Sequence, residues 1–174
     1  MPVVAPNSET PEIMTDSADN RALKKTLGRY PTGVTVVTAR RGDGEPVGLT
    51  VNSFTSVSLD PPLILWCLGN ESPNRPVFEQ AEHFAVNILG AEQGWVSSRF
   101  AQPIDDKFAT VKWSEGAHGV PIIEGSVARL VCRLHDRQPG GDHVILLGRV
   151  EDYQNPGGEP LVYLGGEYQS LRDD

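Results

Sequence analysis

Chemistry in this chain has to come from a few polar clusters set among apolar runs. The first is residues 48–62 (GLTVNSFTSVSLDPP), where Thr50, Asn52, Ser53, Thr55, Ser56 and Ser58 crowd hydroxyls and an amide between two strongly apolar stretches. Backbone N–H groups at a strand end, with Asn and Ser beside them, suit a flat heterocycle rimmed with carbonyls and an imide N–H. The same residues equally suit a loop whose hydroxyls bond its own backbone. The second cluster is residues 70–77 (NESPNRPV), with Ser72, Asn74 and Arg75 just ahead of a helical pattern. A hydroxyl, N–H groups and a guanidinium at that place hold an anion such as a phosphate, and plain N-capping by Ser72 or Asn74 is the alternative. The third is residues 141–150 (GDHVILLGRV), in which His143 opens an apolar strand. There it either orients a ligand ring at a rim or is an ordinary strand-end histidine.

Familiar catalytic spacings are missing. Gly42, Gly44 and Gly48 follow a G-x-G-x-x-x-G spacing and join two strand patterns, whereas a phosphate cradle has to open a helix. Neither a Walker A sequence nor a G-x-S-x-G elbow occurs. His83, His118, His135 and His143 lack metal-ligating spacing, so no metal site is expected. Cys67 and Cys132 lie in apolar runs and read as buried, reduced thiols. Unaided acid–base or hydrolytic chemistry has little support, and a reaction on this chain calls for a bound cofactor.

The elements that must position these clusters are mostly strands. Gly 18 and Pro 14 in 174 residues punctuate the chain far more often than a helical bundle tolerates. Fifteen Lys and Arg against 23 Asp and Glu leave a net charge of −8, which argues against nucleic-acid backbone and anionic membrane as partners. The longest apolar run, residues 63–68, is strand-length and far short of a membrane span. Residues 1–17 carry no Lys or Arg and no apolar core, so they read as a flexible tail or arm and not as a secretory signal. Residues 18–174 then form one domain, and a cytoplasmic protein is expected.

A first helix follows the tail, capped by Ser17 or Asp19, with Leu23, Leu27 and Tyr30 on one face and Lys24, Lys25 and Arg29 on the other. Pro31 stops it. Strands are expected at 34–38 and 47–51, paired as a hairpin, and at 62–68, whose unbroken apolar run implies cover on both faces. Others fall at 84–89, 127–134, 144–150 and 161–164, with a turn at 138–141. Short helices are expected near 74–81 and 91–100, and a turn near 105–109. Seven closely spaced strands with helical inserts imply a mainly β, antiparallel fold of barrel type.

Six stretches taken in order carry a resemblance. They are residues 30–38 (YPTGVTVVT), 48–62, 84–89 (FAVNIL), 106–108 (DKF), 141–150 and 161–168 (LVYLGGEY). Together they resemble the flavin reductase-like family over about residues 20–171, above all the short reductase components of two-component flavin-dependent monooxygenases. The resemblance implies a homodimeric, six-stranded Greek-key split barrel with flanking short helices and flavin near the dimer interface. It implies that Thr50, Val51, Asn52 and Ser53 line the flavin ring and ribityl chain, that Ser72 and Asn74 reach its phosphate side with Arg75 as helper, and that Thr32 lies close to the same pocket. His143 would face the nicotinamide, and Phe108 would form a wall. Leu49 stands where other members carry an aromatic residue or Met.

The activity so implied is hydride transfer from NADH or NADPH to FMN or FAD, with reduced flavin passed to an oxygenase. No side chain has to exchange a proton in that step, in keeping with the missing motifs. Two other readings belong to the same fold: a flavin- or haem-binding protein without turnover, and an oxidase of a vitamin B6 phosphate. The last needs a basic cluster for a substrate phosphate, and no matching cluster is present.

Overall fold

The computed structural model describes residues 18–171, so the expected N-terminal arm and the capping by Ser17 lie outside the described residues. Helix α1 (Ala18–Leu27) leads into β1 (Thr32–Gly33), β2 (Thr35–Arg40), β3 (Pro46–Val51), β4 (Thr55–Leu59) and β5 (Pro62–Gly69). Then come α2 (Arg75–Gln80), β6 (His83–Ile88), a 3-10 turn (Ala91–Gln93) running into α3 (Gly94–Ala101), and β7 (Trp113–Glu115). A second 3-10 turn (Ala117–Gly119), β8 (Pro121–Ile123), β9 (Ala128–Gly140), β10 (His143–Gln154), β11 (Val162–Leu164) and β12 (Glu167–Gln169) complete the order. The fold is mainly β, 47% strand against 18% helix.

Seven strands form one antiparallel sheet in the order β3-β2-β6-β9-β10-β5-β4. Its two edges, β3 and β4, are joined by residues 52–54 alone. Four Cα steps span at most about 15 Å, whereas edges of a flat seven-stranded sheet stand roughly 29 Å apart. The sheet therefore has to curl until its edges approach, and residues 52–54 lie where they meet. The strands β1, β11 and β12 form a separate small sheet, and β7 pairs with β8.

Curling gives β2 two buried faces. Val37 joins a core of Trp66, Phe78, Phe84, Val86 and Leu146, in which the Trp66 ring meets Phe78 and Phe84 edge-on at 5.1 and 5.9 Å. Val36 joins a second core with Leu89, Phe100, Phe108 and Leu161. This is why a β-branched run, and not a strict alternation, fills β2.

Strand β5 departs from its expected double cover. Ile64, Trp66 and Leu68 are buried, but Leu63, Leu65 and Cys67 are only half-buried. Leu65 pairs with Leu147 and Cys67 with Ile145, so these half-buried side chains form one apolar face across β5 and β10. The expected turn at 138–141 also moves. Gln138 and Pro139 remain in register with Ile145 and Val144, and the turn falls at Gly141 and Asp142. Strands β1, β4, β7, β8 and β12 are short additions that the apolar pattern does not mark. The polar segment after β3 contains an edge strand, β4, and is not loop throughout. Helix α1 ends at Leu27, before the expected stop at Pro31, so Tyr30 lies in the turn past it, and Leu23, Leu27 and Tyr30 are all exposed. No helix among the described residues is long and apolar enough to cross a membrane.

Candidate functional site

A pocket of about 540 Å³ opens where α1 runs into β1. Lys24, Lys25, Arg29 and Tyr30 come from the helix and its corner, Thr32 from β1, Asn52 from the edge-joining link, and Tyr163 from β11. The corner is built by backbone bonds: Gly28 N–H donates to Lys24 O and Gly165 N–H donates back to Gly28 O, both at 2.9 and 2.8 Å respectively. Gly165 and Gly166, at φ 64° and 98°, make the two-residue hairpin turn from β11 to β12 that only such residues enter without strain. Thr32 pairs with Tyr163 across the small sheet. Its hydroxyl Oγ1 is buried and has no hydrogen-bond partner. Trp66 Nε1 and Arg129 Nε share that condition among the described residues, but Thr32 is the one of the three in this pocket's lining.

The neighbouring hydroxyls are committed to the scaffold. Thr50 Oγ1 donates to Ser97 O at 2.6 Å, tying β3 to α3. Val51 is buried, and its carbonyl accepts from Thr35 Oγ1 at 3.1 Å. Ser53 Oγ accepts from Cys67 N–H at 2.9 Å and donates to Cys67 O at 3.3 Å. Thr55 pairs with Leu65, so the Ser53 hydroxyl satisfies β5 at the next step, where β4 has ended. Of this quartet Asn52 is the member that lines the pocket.

A second pocket, about 300 Å³, lies at the β9–β10 turn and is bounded by Asn70, Arg75, Glu79, Arg137 and His143. Arg75 Nε donates to Glu79 Oε1 at 3.0 Å and Nη1 to Asn70 Oδ1 at 3.1 Å. Asn70 in turn donates through Nδ2 to Gly141 O at 3.0 Å, so the guanidinium is braced against the turn that carries His143. His143 Nδ1 meets Asp142 Oδ1 at 2.7 Å. That hydrogen bond and the nearby imidazole hold the Asp142 carboxyl below its ordinary range. With Asp142 accepting from Nδ1–H, the neutral ring carries its lone pair on Nε2. That atom faces Gly69, where even an added Cβ would stand 4.0 Å away. Ser72 Oγ accepts from Asn74 N–H at 3.4 Å, and Asn74 caps α2 with its backbone and no side-chain bond.

The predicted residues thus divide. Thr32 and Asn52 share the first pocket, and Arg75 and His143 share the second. Ser53 lies between, held on Cys67, two residues along β5 from the Gly69 that pairs with His143. Phe108 lines neither pocket. It is buried, edge-on to Phe100 at 5.0 Å and to Trp113 at 5.6 Å. Lys24, Lys25 and Tyr163 were legible as a cationic helix face and a strand residue, but nothing in the sequence marked them as wall of one pocket. Asn70 opens the second polar cluster, whereas Arg137 carries no local signal. Linear spacing also left no metal-ligating set to expect, yet His83, His118 and Glu151 converge with their donor atoms within 4.8 Å of one another.

A family model described as "Flavin reductase like domain" matches residues 27–172. The stachydrine N-demethylase reductase subunit of Rhizobium meliloti is 46% identical over 153 residues, 88% of this chain and 66% of that one. The FMN reductase (NADH) of Agrobacterium fabrum is 43% identical over 150 residues, 86% of this chain and 85% of its own. Among solved structures, the Streptomyces globisporus NADH:FAD oxidoreductase in complex with NAD and FAD fragments superposes with a TM-score of 0.85. It is 40% identical, over 92% of this chain and 98% of that one. The chain spans only part of some relatives, half the length of another from Rhizobium meliloti.

Proposed function

The chain belongs to the flavin reductase-like family, and from that premise we propose that it is an NAD(P)H:flavin oxidoreductase whose first pocket holds FMN or FAD. The observation that carries this is the buried, unpartnered Thr32 hydroxyl in a pocket that also presents the Asn52 amide. A flavin ring offers carbonyl acceptors and an imide donor to both. Tyr30 and Tyr163 add aromatic wall, and Lys24, Lys25 and Arg29 supply positive charge for a phosphate. The residues present therefore fit the cofactor.

When bound, flavin supplies the acceptor for hydride from a reduced nicotinamide. The chain's own task is binding and orientation. Thr32 and Asn52 fix the cofactor edge. Arg75, braced by Asn70, and Arg137 stand where the phosphates of a nicotinamide nucleotide would lie, and His143 offers Nε2 beside them. In this reading Ser53 and Thr50 act by holding the link that carries Asn52, and Val51 by anchoring it in the core. Phe108 acts only through its core packing on Phe100 and Trp113. Ser72 and Asn74 shape the start of α2 and so the position of Arg75.

The hydride donor is NADH or NADPH. The relatives' names favour NADH and divide between FMN and FAD. The partner class is a flavin-dependent oxygenase that consumes the reduced flavin, a reading supported by a relative named as the reductase subunit of a demethylase. The chain works as a homodimer in this reading, because α1, β4 and the β5–β10 face leave apolar side chains uncovered. Two free cysteines agree with a cytoplasmic setting. The test is oxidation of NADH or NADPH by the purified chain with and without added FMN or FAD. Turnover that requires added flavin supports the reading, and none with either nucleotide and either flavin overturns it.

A further inference from the structure

We propose that His83, His118 and Glu151 form a separate binding site for one divalent transition ion of the zinc class. The three side chains come from three elements. His83 opens β6, Glu151 lies in β10, and His118 sits at the tip of the β7–β8 hairpin. Val150 opposes Cys132 and Asp152 opposes Val131, so Glu151 is the extra residue of a β-bulge. A bulge of this kind re-aims a side chain. His118 adopts φ 57° and ψ 19°, a left-handed conformation in which Asn, Asp and His are enriched.

Both imidazoles present Nε2 to the same carboxylate oxygen, His83 at 3.1 Å and His118 at 3.2 Å. Ligand atoms that share a tetrahedral zinc at about 2.1 Å stand roughly 3.4 Å apart. Each imidazole nitrogen therefore already stands from the carboxylate oxygen at about the separation that one shared ion requires. Two imidazoles and one carboxylate leave a fourth position for water or an incoming group. They favour Zn²⁺, Cu²⁺ or Ni²⁺ over Mg²⁺ and Ca²⁺, which prefer oxygen ligands. The rings stack at 3.8 Å with 6° between their planes. A shared ion lies in the plane of each ring it binds, so loading splays them. His118, its side chain 46% exposed against 15% for His83, has the room to turn.

The surroundings permit a cation. Arg133, beside His83 in the sheet, is matched by Glu82 at 2.9 Å. The hairpin is anchored independently, through Thr38 Oγ1 to Pro121 O and Arg40 Nε to Gly119 O. Because Thr35 pairs with Val51 and Thr38 with Ala85, this trio lies at the opposite end of β2 from the flavin link. An ion there would tie the hairpin to the main sheet.

The full chain, free of any affinity tag, is titrated with zinc chloride alone by calorimetry, and the cobalt-loaded form is examined by visible absorption. The expected result is one Zn²⁺ per chain, a tetrahedral cobalt spectrum and a zinc-dependent rise in melting temperature that Mg²⁺ does not give. His118→Asn, which keeps the left-handed backbone accessible, and Glu151→Gln each weaken zinc binding at least about tenfold. His118→Asn leaves flavin-dependent NADH oxidation, measured without metal, unchanged. Absence of stoichiometric zinc binding overturns the proposal, as does undiminished affinity in both variants.

Discussion

Thr32 has a single polar atom with nothing to bind, and it lies in the wall of the larger pocket. Thr32→Val keeps the shape and removes that atom. Flavin affinity, followed by quenching of flavin fluorescence, should fall roughly fivefold to tenfold, the worth of one hydrogen bond, and Thr32→Ser should recover most of it. His143 is held by Asp142 at 2.7 Å with Nε2 over Gly69. His143→Ala should raise the apparent KM for the nucleotide more than it changes flavin affinity, and unchanged kinetics would leave His143 as a strand-end residue. Cys132 answers to pH. Burial, and behind it the Glu151 carboxylate, push its thiol from 9.0 up to about 12. The folded chain keeps the proton while the unfolded chain loses it, so stability should be full below pH 9.0 and decline until about 12. Urea unfolding at stepped pH checks this, and Cys132→Ala should flatten that decline.

At the scale of elements, close strand contacts depend on small residues. A Cβ at Gly148 of β10 would stand 2.5 Å from Phe84 Cζ and 3.0 Å from Cys132 Cβ. Gly148→Ala should therefore cost about 1–3 kcal/mol through overpacking, seen as a lower urea midpoint. The sequence placed β2, β3, β5 and β6 to within a residue or two, because their apolar density belongs to buried strands. It did not place β4, β7, β8 or β12, strands of three to five residues that pair with a sequence neighbour and are too short or too polar to show a periodic apolar pattern. The β9–β10 turn was misread for a related reason. Pro139 and two glycines look like a turn, yet the neighbouring ladder carries Gln138 and Pro139 onward in register.

At the scale of the molecule, apolar side chains on α1, the turn after it, β4 and the β5–β10 face are left uncovered. Leu27 is 65% exposed, Tyr30 77% and Leu59 92%, and the β5–β10 face is half open. A second copy of the chain is the proposed occupant. Sedimentation should give a dimer at micromolar concentration, and Leu27→Glu combined with Leu59→Lys should shift it toward monomer. Because both side chains are already exposed, the circular dichroism of the folded chain should not change. A monomer in the unmodified chain would end the homodimer reading.

Composition and local pattern sufficed for the strand-rich class and for marking the hydroxyl-rich, Ser72–Arg75 and His143 segments, since backbone preference and apolar alternation act over a few residues. Which of those polar groups stay available was decided by folding. Curling brings the β3 and β4 edges together, so Ser53 and Thr50 are taken up by Cys67 and Ser97 while Thr32 is left without a partner. Pairing of β6, β9 and β10, with the β7–β8 hairpin bonded to β2, brings His83, His118 and Glu151 from three distant stretches to one place. Contacts between residues far apart in sequence exist only once the chain has paid the entropy of closing those loops, and local pattern carries no record of them.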